Sequence, residues 1–189
     1  MYYSTKRIGP ISTGHRQWRD KGHCKWAHGY GRYVKFTFAC KTLDERMWCM
    51  DFGDLKWVKK WLEDQWDHRM LIASDDPYLK LFKELHEMDA IRCREWRIFP
   101  GLSLLSDKIG HVLFVFAHLP LFYFIYWQLT YSQDIEASCK FVFDNINPKI
   151  QELTNNRVWI DTVEIYEHEF NSAFYVNGAI ETVRCNNGY

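Results

Sequence analysis

The chain has 189 residues, enough for one domain with a sizeable core. Lys+Arg and Asp+Glu are both 24, so the net charge is zero and the global basic footprint of a nucleic-acid binder is absent. Aromatics reach 17%, which excludes a disordered chain, and six cysteines without CxxC spacing argue for reduced thiols over a disulfide framework.

No charged n-region with an apolar run opens the chain, so no signal peptide is expected. Residues up to about Thr13 carry a weak strand pattern, and Gly14 to Ala27 reads as a loop. From His28 the chain turns extended. Val34, Phe36, Phe38 and Cys40 alternate with Tyr33, Lys35, Thr37 and Ala39, the period of a half-buried strand. Met47 to Phe52 is a short run expected to pair with it as a hairpin. Asp54 is an expected N-cap for a helix bearing Leu55, Val58, Leu62 and Trp66, ending near Asp67-His68.

A second helix is expected from Tyr78 to about Met88, with Leu79, Phe82 and Leu85 on one face and Pro77 in its first turn. A strand follows from Arg92 to Phe99. Ser138 to Leu153 is the next helix, and Pro148 is expected to kink or divide it near Asn147. Val158–Glu167 and Ala173–Val176 read as two closing strands. With Leu102 to Ala137 set aside, the order is that of an α+β fold. Within that segment, Ile109 to Gln133 holds no Asp, Glu, Lys or Arg, a run long enough to span a bilayer. A hydrophobic excursion covering the sheet or an oligomer face is preferred to a membrane anchor or a sequence artefact.

The stretch from Gly14 to Tyr33 gathers His15, His23, Cys24 and His28. His15 and His28 supply two nitrogen donors for a zinc site, with Tyr30 or His23 as a third. Any one of these histidines alone reads as an ordinary hydrogen-bonding residue; the cluster reads as a site. Cys24 lies between His23 and Lys25, and nearby cations favour a thiolate, although a free cysteine is often only a small buried hydrophobe. Asp67-His68 reads equally as a helix terminus or as a carboxylate orienting an imidazole for proton transfer. Glu164, Glu167 and Glu169 surround the last strands; one carboxylate facing a pocket can hold a planar ligand's N–H groups by paired hydrogen bonds.

His15, Cys24, His28-Gly29-Tyr30, Asp51-Phe52, Asp67-His68, and Glu167 with Tyr175 resemble, in order and spacing, the motifs of the 6-pyruvoyltetrahydropterin synthase/6-carboxytetrahydropterin synthase family. The Cys-x-x-x-His spacing of CKWAH is similar to the 6-carboxy branch, which feeds 7-deazaguanine (preQ0/queuosine) synthesis. The resemblance implies a tunnelling fold of ββααββ order with helices on one face of the antiparallel sheet, over residues 1–189 as a single domain with 102–137 as an apolar insertion. It implies a cytoplasmic homo-oligomer, a hexamer in the family, with no nucleic-acid partner. It implies a zinc-dependent lyase acting on the pterin 7,8-dihydroneopterin triphosphate. Cys24 would then be the proton-abstracting thiolate, Asp67 and His68 its relay, Glu167 the pterin anchor, and His15 and His28 zinc ligands.

Three departures stand out, the first being the Leu102–Ala137 stretch, which looks like an insertion absent from the family. Tyr30 occupies the position of the family's third histidine ligand, as it does in phage-like members with His-Gly-Tyr. The family's Thr/Ser-x-Glu of the second helix appears as Ser138-Cys139-Lys140. The last two motivate the alternative of a non-catalytic tunnelling-fold module that binds a pterin or purine. Arg16, Lys21 and Lys25 are candidates for the triphosphate by charge and proximity.

Overall fold

The computed structural model describes residues 1–96 and 135–178. The elements in chain order are β1 (Tyr2–His15), β2 (His28–Cys40), α1 (Lys56–Trp66), β3 (Arg69–Ala73), α2 (Leu79–Glu87), β4 (Cys93–Trp96), α3 (Ile135–Leu153), β5 (Val158–Tyr166) and β6 (Ser172–Val176). Short 3-10 turns lie at His23–Lys25 and Phe52–Leu55. The described residues sort into two compact units. One contains Met1–Gly14, Gly29–His68 and 135–178; the other contains His15–His28 and 69–96.

In the first unit the strands run in the order β1-β2-β5-β6. β2 and β5 pair antiparallel from Tyr33↔Tyr166 to Cys40↔Val158, with an irregular step between Thr37 and Phe38. β5 and β6 pair antiparallel from Thr162↔Val176 to Tyr166↔Ser172. The alternation of β2 is realised as expected: Val34, Phe36 and Phe38 are fully buried, as are Val158, Ile160, Val163 and Ile165 of β5. α3 lies on β5 and β6. Its Cys139, Val142, Ile146 and Ile150 form the buried stripe. Burying each such aliphatic side chain contributes about 1.5–3 kcal/mol, which is what holds the helix there. β1 and β2 approach so closely that a Cβ on Gly29 would lie 2.7 Å from the Thr13 carbonyl oxygen; only glycine fits.

α1 forms as its spacing predicts, with Val58, Leu62 and Trp66 buried. Its start differs. Asp51, not Asp54, caps the preceding 3-10 turn, its carboxylate accepting from the Gly53 N–H at 2.8 Å. Met47–Phe52 is not a strand. The Asp44 carboxylate accepts from the N–H groups of Arg46 and Trp48 at 2.9 and 2.8 Å, and this local side-chain bonding wins over a hairpin. α3 is not divided at Pro148; it runs unbroken through that residue. The proline removes one backbone donor. The buried stripe and the Asn147 side chain, whose oxygen accepts the Ile160 N–H at 2.8 Å, fix the helix on both sides of it.

The second unit contains β3 and β4, paired parallel from Met70↔Cys93 to Ala73↔Trp96. α2 connects them and touches both, a βαβ arrangement. β3 was not expected. Its five residues, RMLIA, follow directly on a helix terminus and show no alternation. The 102–137 segment begins outside the described residues; its end, 135–137, is the first turn of α3. The apolar run 109–133 lies wholly outside them. No helix among the described residues is long and apolar enough to cross a membrane.

Candidate active site

In the second unit, His15 ends β1 and His28 opens β2. Their rings lie 4.4 Å apart between centroids, tilted by 52°. His15 is 1% exposed. The Nδ1 of His28 is 2.6 Å from the Trp26 carbonyl oxygen. A carbonyl only accepts, so Nδ1 carries the proton and the ring's lone pair sits on Nε2.

The loop between the two histidines is tied down from within. Gln17 N–H donates to the Cys24 carbonyl at 2.8 Å, and Cys24 N–H donates to the Asp20 carboxylate at 3.1 Å. Cys24 itself is half-buried in the 3-10 turn, whereas His23 is exposed. Arg16 is already engaged. Its Nε pairs with buried Asp76 at 3.1 Å, and its guanidinium stacks over Tyr78. Arg19 and the Trp18 indole N–H both engage Asp75. Lys21 and Lys25 are exposed.

In the first unit, Tyr30 follows His28 by two positions on β2, and its ring lies 6.0 Å from that of His168. Asp67 and His68 clip onto β1. Asp67 Oδ1 accepts the Ser12 N–H at 3.1 Å, and His68 N–H donates to the Ser12 carbonyl at 2.8 Å. His68 Nδ1 lies 3.0 Å from Asp67 Oδ2. His68 has φ 53°, a backbone that non-glycine residues adopt at a cost and that recurs at functional sites. Partial burial pushes the Asp67 carboxyl up, but the hydrogen bonds from His68 and the Ser12 N–H outweigh it and hold the carboxyl below its ordinary value. The pair expected from sequence is therefore an oriented one.

Of the three late glutamates, Glu164 is engaged by Lys35 at 3.0 Å and by the Ser172 hydroxyl at 2.9 Å, and Glu169 is exposed. Glu167 is half-buried where β5 ends, and its N–H donates to the Asn171 carbonyl at 3.1 Å. Asp51 is spent on capping and on Arg46, at 3.0 Å. Tyr175 packs against Phe143 at 4.9 Å, beneath the Lys140 ammonium. Ser138 is fully buried in the first turns of α3.

Arg32, which the sequence reading passed over, is fully buried on β2 and shares a charge interaction with Glu167. Its signal was its even number, in phase with Val34, Phe36 and Phe38. Among the described residues no three His, Cys, Asp or Glu side chains converge as a metal-binding group.

Residues 5–178 match the model of the family described as 6-pyruvoyl tetrahydropterin synthase. The chain belongs to that family. It is 32% identical over 77 residues to a 6-carboxy-5,6,7,8-tetrahydropterin synthase of Rickettsia typhi, covering 40% of this chain and 55% of that protein. It is 32% identical over 81 residues to a probable 6-carboxy-5,6,7,8-tetrahydropterin synthase of Halobacterium salinarum, covering 43% and 51%. The chain thus spans about half the length of the curated relatives it matches.

Among solved structures it is similar to an uncharacterized protein of Wolinella succinogenes, with TM-score 0.62 and 19% identity over 93% of this chain and 98% of that one. It is also similar to 6-pyruvoyltetrahydropterin synthase of Plasmodium vivax, with TM-score 0.54 and 12% identity over 94% and 99%. These likenesses bear out the α+β tunnelling fold expected from the sequence. β3, α2 and β4 are additions to the ββααββ order.

Proposed function

We propose that this member of the 6-pyruvoyl tetrahydropterin synthase family is a zinc-dependent lyase of the 6-carboxytetrahydropterin synthase type, acting on 7,8-dihydroneopterin triphosphate in 7-deazaguanine synthesis. The observation that carries the reading is the convergence of the His15 and His28 rings, 4.4 Å apart, with Cys24 in the loop between them. The names of the curated relatives support the reaction type.

The donor set fits zinc. Zinc takes imidazole nitrogen readily, and the Trp26 carbonyl fixes His28 in the tautomer that offers Nε2. His15 and His28 would hold the ion, with Tyr30 as the third ligand and a position left for substrate. Bound there, zinc supplies Lewis-acid polarisation of the substrate's side-chain hydroxyls.

The chain's own residues do the rest. Cys24 Sγ, as thiolate, takes the proton from the side-chain carbon, and the triphosphate leaves with the electrons of its C–O bond. Asp67, ionised and hydrogen-bonded to His68, keeps that imidazole oriented as the proton relay. Glu167 accepts from adjacent N–H groups of the pterin and fixes the ring. The reading treats residues 1–189 as a single domain and the assembly as a cytoplasmic homo-oligomer.

Incubation with 7,8-dihydroneopterin triphosphate, followed by mass spectrometry, tests it. The expected outcome is released triphosphate, a tetrahydropterin carrying a carboxyl group at C6, and the other two side-chain carbons released as acetaldehyde, with one water consumed. Cys24→Ala should lower the rate by about 10²–10⁴-fold while keeping most of the pterin affinity, the usual contribution of a general base. A parent protein that holds the pterin without turnover and carries no zinc would instead be the binding module.

A further inference from the structure

The loop that carries Cys24 holds only a 3-10 turn at His23–Lys25, yet it is fastened to the turn between β3 and α2 through Arg16, Trp18 and Arg19. Arg16 Nε pairs with Asp76 Oδ2 at 3.1 Å, and the same guanidinium lies 5.1 Å from the centroid of the Tyr78 ring. The Trp18 indole N–H donates to Asp75 Oδ1 at 3.2 Å. The Arg19 guanidinium, stacked on Trp18, pairs with Asp75 Oδ2.

The Asp76 end of this fastening is fixed by its own backbone. Its N–H donates to the Ala73 carbonyl at 3.1 Å, where β3 ends, and its carbonyl accepts the Leu79 N–H at 2.9 Å. Its Oδ1 accepts the Tyr78 N–H at 2.8 Å. One carboxylate oxygen thus closes the turn into α2 and the other faces Arg16. The Asp76 side chain is fully buried and that of Arg16 is 13% exposed. A buried ion pair adds little net stability, because desolvating both groups offsets their attraction. What a directional pair supplies better than an apolar contact is a defined position.

The fastened residues bracket those that hold Cys24. Gln17, between Arg16 and Trp18, donates its N–H to the Cys24 carbonyl at 2.8 Å. Asp20, next to Arg19, accepts the Cys24 N–H on Oδ2 at 3.1 Å, and its own N–H donates to the Gln17 carbonyl at 2.9 Å. Both backbone polar groups of Cys24 therefore end on residues whose chain neighbours are tied to the β3–α2 turn.

We propose that Asp76, supported by Asp75, is a positioning residue for Cys24, acting through Arg16 and the Gln17 N–H to fix the place of the thiol. The inference rests on the role of Cys24 as proton-abstracting thiolate in the function proposed above. A reacting group carried on a loop is placed less accurately than one on a strand or helix, and this fastening supplies the missing support. Asp76 meets Arg16 and the backbone of its own turn, so its effect on the reaction passes through the loop.

The test is Asp76→Asn in the full-length protein. The amide keeps an oxygen for the Tyr78 N–H and presents a donor where the Arg16 guanidinium needs an acceptor. Triphosphate release from 7,8-dihydroneopterin triphosphate should lose about 10²-fold in kcat, the cost of misplacing a reacting group by about 1 Å, with KM close to that of the parent. Amide hydrogen exchange from Arg16 to Trp26 should quicken roughly tenfold, while that of β2 and β5 stays as in the parent. Arg16→Met, which removes the pair from the loop side, should produce the same two changes, and the double variant no more than either single one. Unchanged loop exchange in both variants overturns the proposal whatever the activity of the parent. Faster loop exchange with unchanged kcat in an active parent, or a loss that falls on KM alone, also overturns it. A parent that turns nothing over, while both variants loosen the loop, supports the hold on Cys24 and fails the lyase reading.

Discussion

The two halves of β2 share a face and differ in everything else. From Val34 to Cys40 the even-numbered residues are apolar and buried, and they build the core with β5. From His28 to Arg32 the same phase carries an imidazole, a phenol and a guanidinium. The alternation that buries Phe36 is the alternation that presents His28, Tyr30 and Arg32. A strand therefore sorts its residues by face alone, and chemistry enters where the side-chain types change along that face. Building the proposed site as a continuation of the core strand gives it a rigid backbone, which a loop alone would not provide.

Breaking the core half should have the largest effect. Phe36→Ala empties a fully buried site and should cost about 3–5 kcal/mol, read as a lower urea midpoint. If the midpoint stays put, the two halves do not differ in the way described.

Removing the proposed anchor, Glu167, comes second. Glu167→Gln should weaken 7,8-dihydroneopterin binding by roughly 10–100-fold, the scale of a hydrogen bond to a charged group, while leaving the urea midpoint close to that of the parent. A large loss of stability with unchanged binding would make Glu167 a structural residue.

The smallest effect concerns the Asp67–His68 clip. The folded carboxyl lies below its ordinary value, so its contribution is present above the unfolded value near 4 and is lost as pH falls through the lowered folded value. Asp67→Asn should be less stable than the parent at pH 7 by roughly 0.2–1 kcal/mol, because the side chain is well exposed to solvent. The difference should close in acid. A gap that widens as pH falls would reverse the sign assigned to Asp67.

Much of this was legible in the sequence because periodic burial leaves a periodic trace. Val34, Phe36 and Phe38 announce β2, and Leu55, Val58, Leu62 and Trp66 announce α1. β3 left no such trace, since Leu71, Ile72 and Ala73 are buried consecutively and a continuous apolar triplet has no period. Met47–Phe52 was misread because the competing force is local: the Asp44 carboxylate binds the very N–H groups a hairpin would need.

At the site, His15, Cys24 and His28 stand out as residue types, and the structure brings the two histidines together. Asp67 and His68 stand together in the sequence, but their clip onto Ser12 depends on β1 arriving from 55 residues away. Arg32 was visible only as a charged residue in phase with a core face.

His28 and Tyr30 of β2, together with His15, are the proposed metal ligands. Zinc titration of the parent, Tyr30→His and His28→Ala tests that claim most directly. Phenolate is a harder and less common zinc donor than imidazole and must lose its proton to ligate well. The predicted order of affinity is Tyr30→His above the parent, with His28→Ala showing no stoichiometric binding. Equal affinity in all three proteins would contradict the claim.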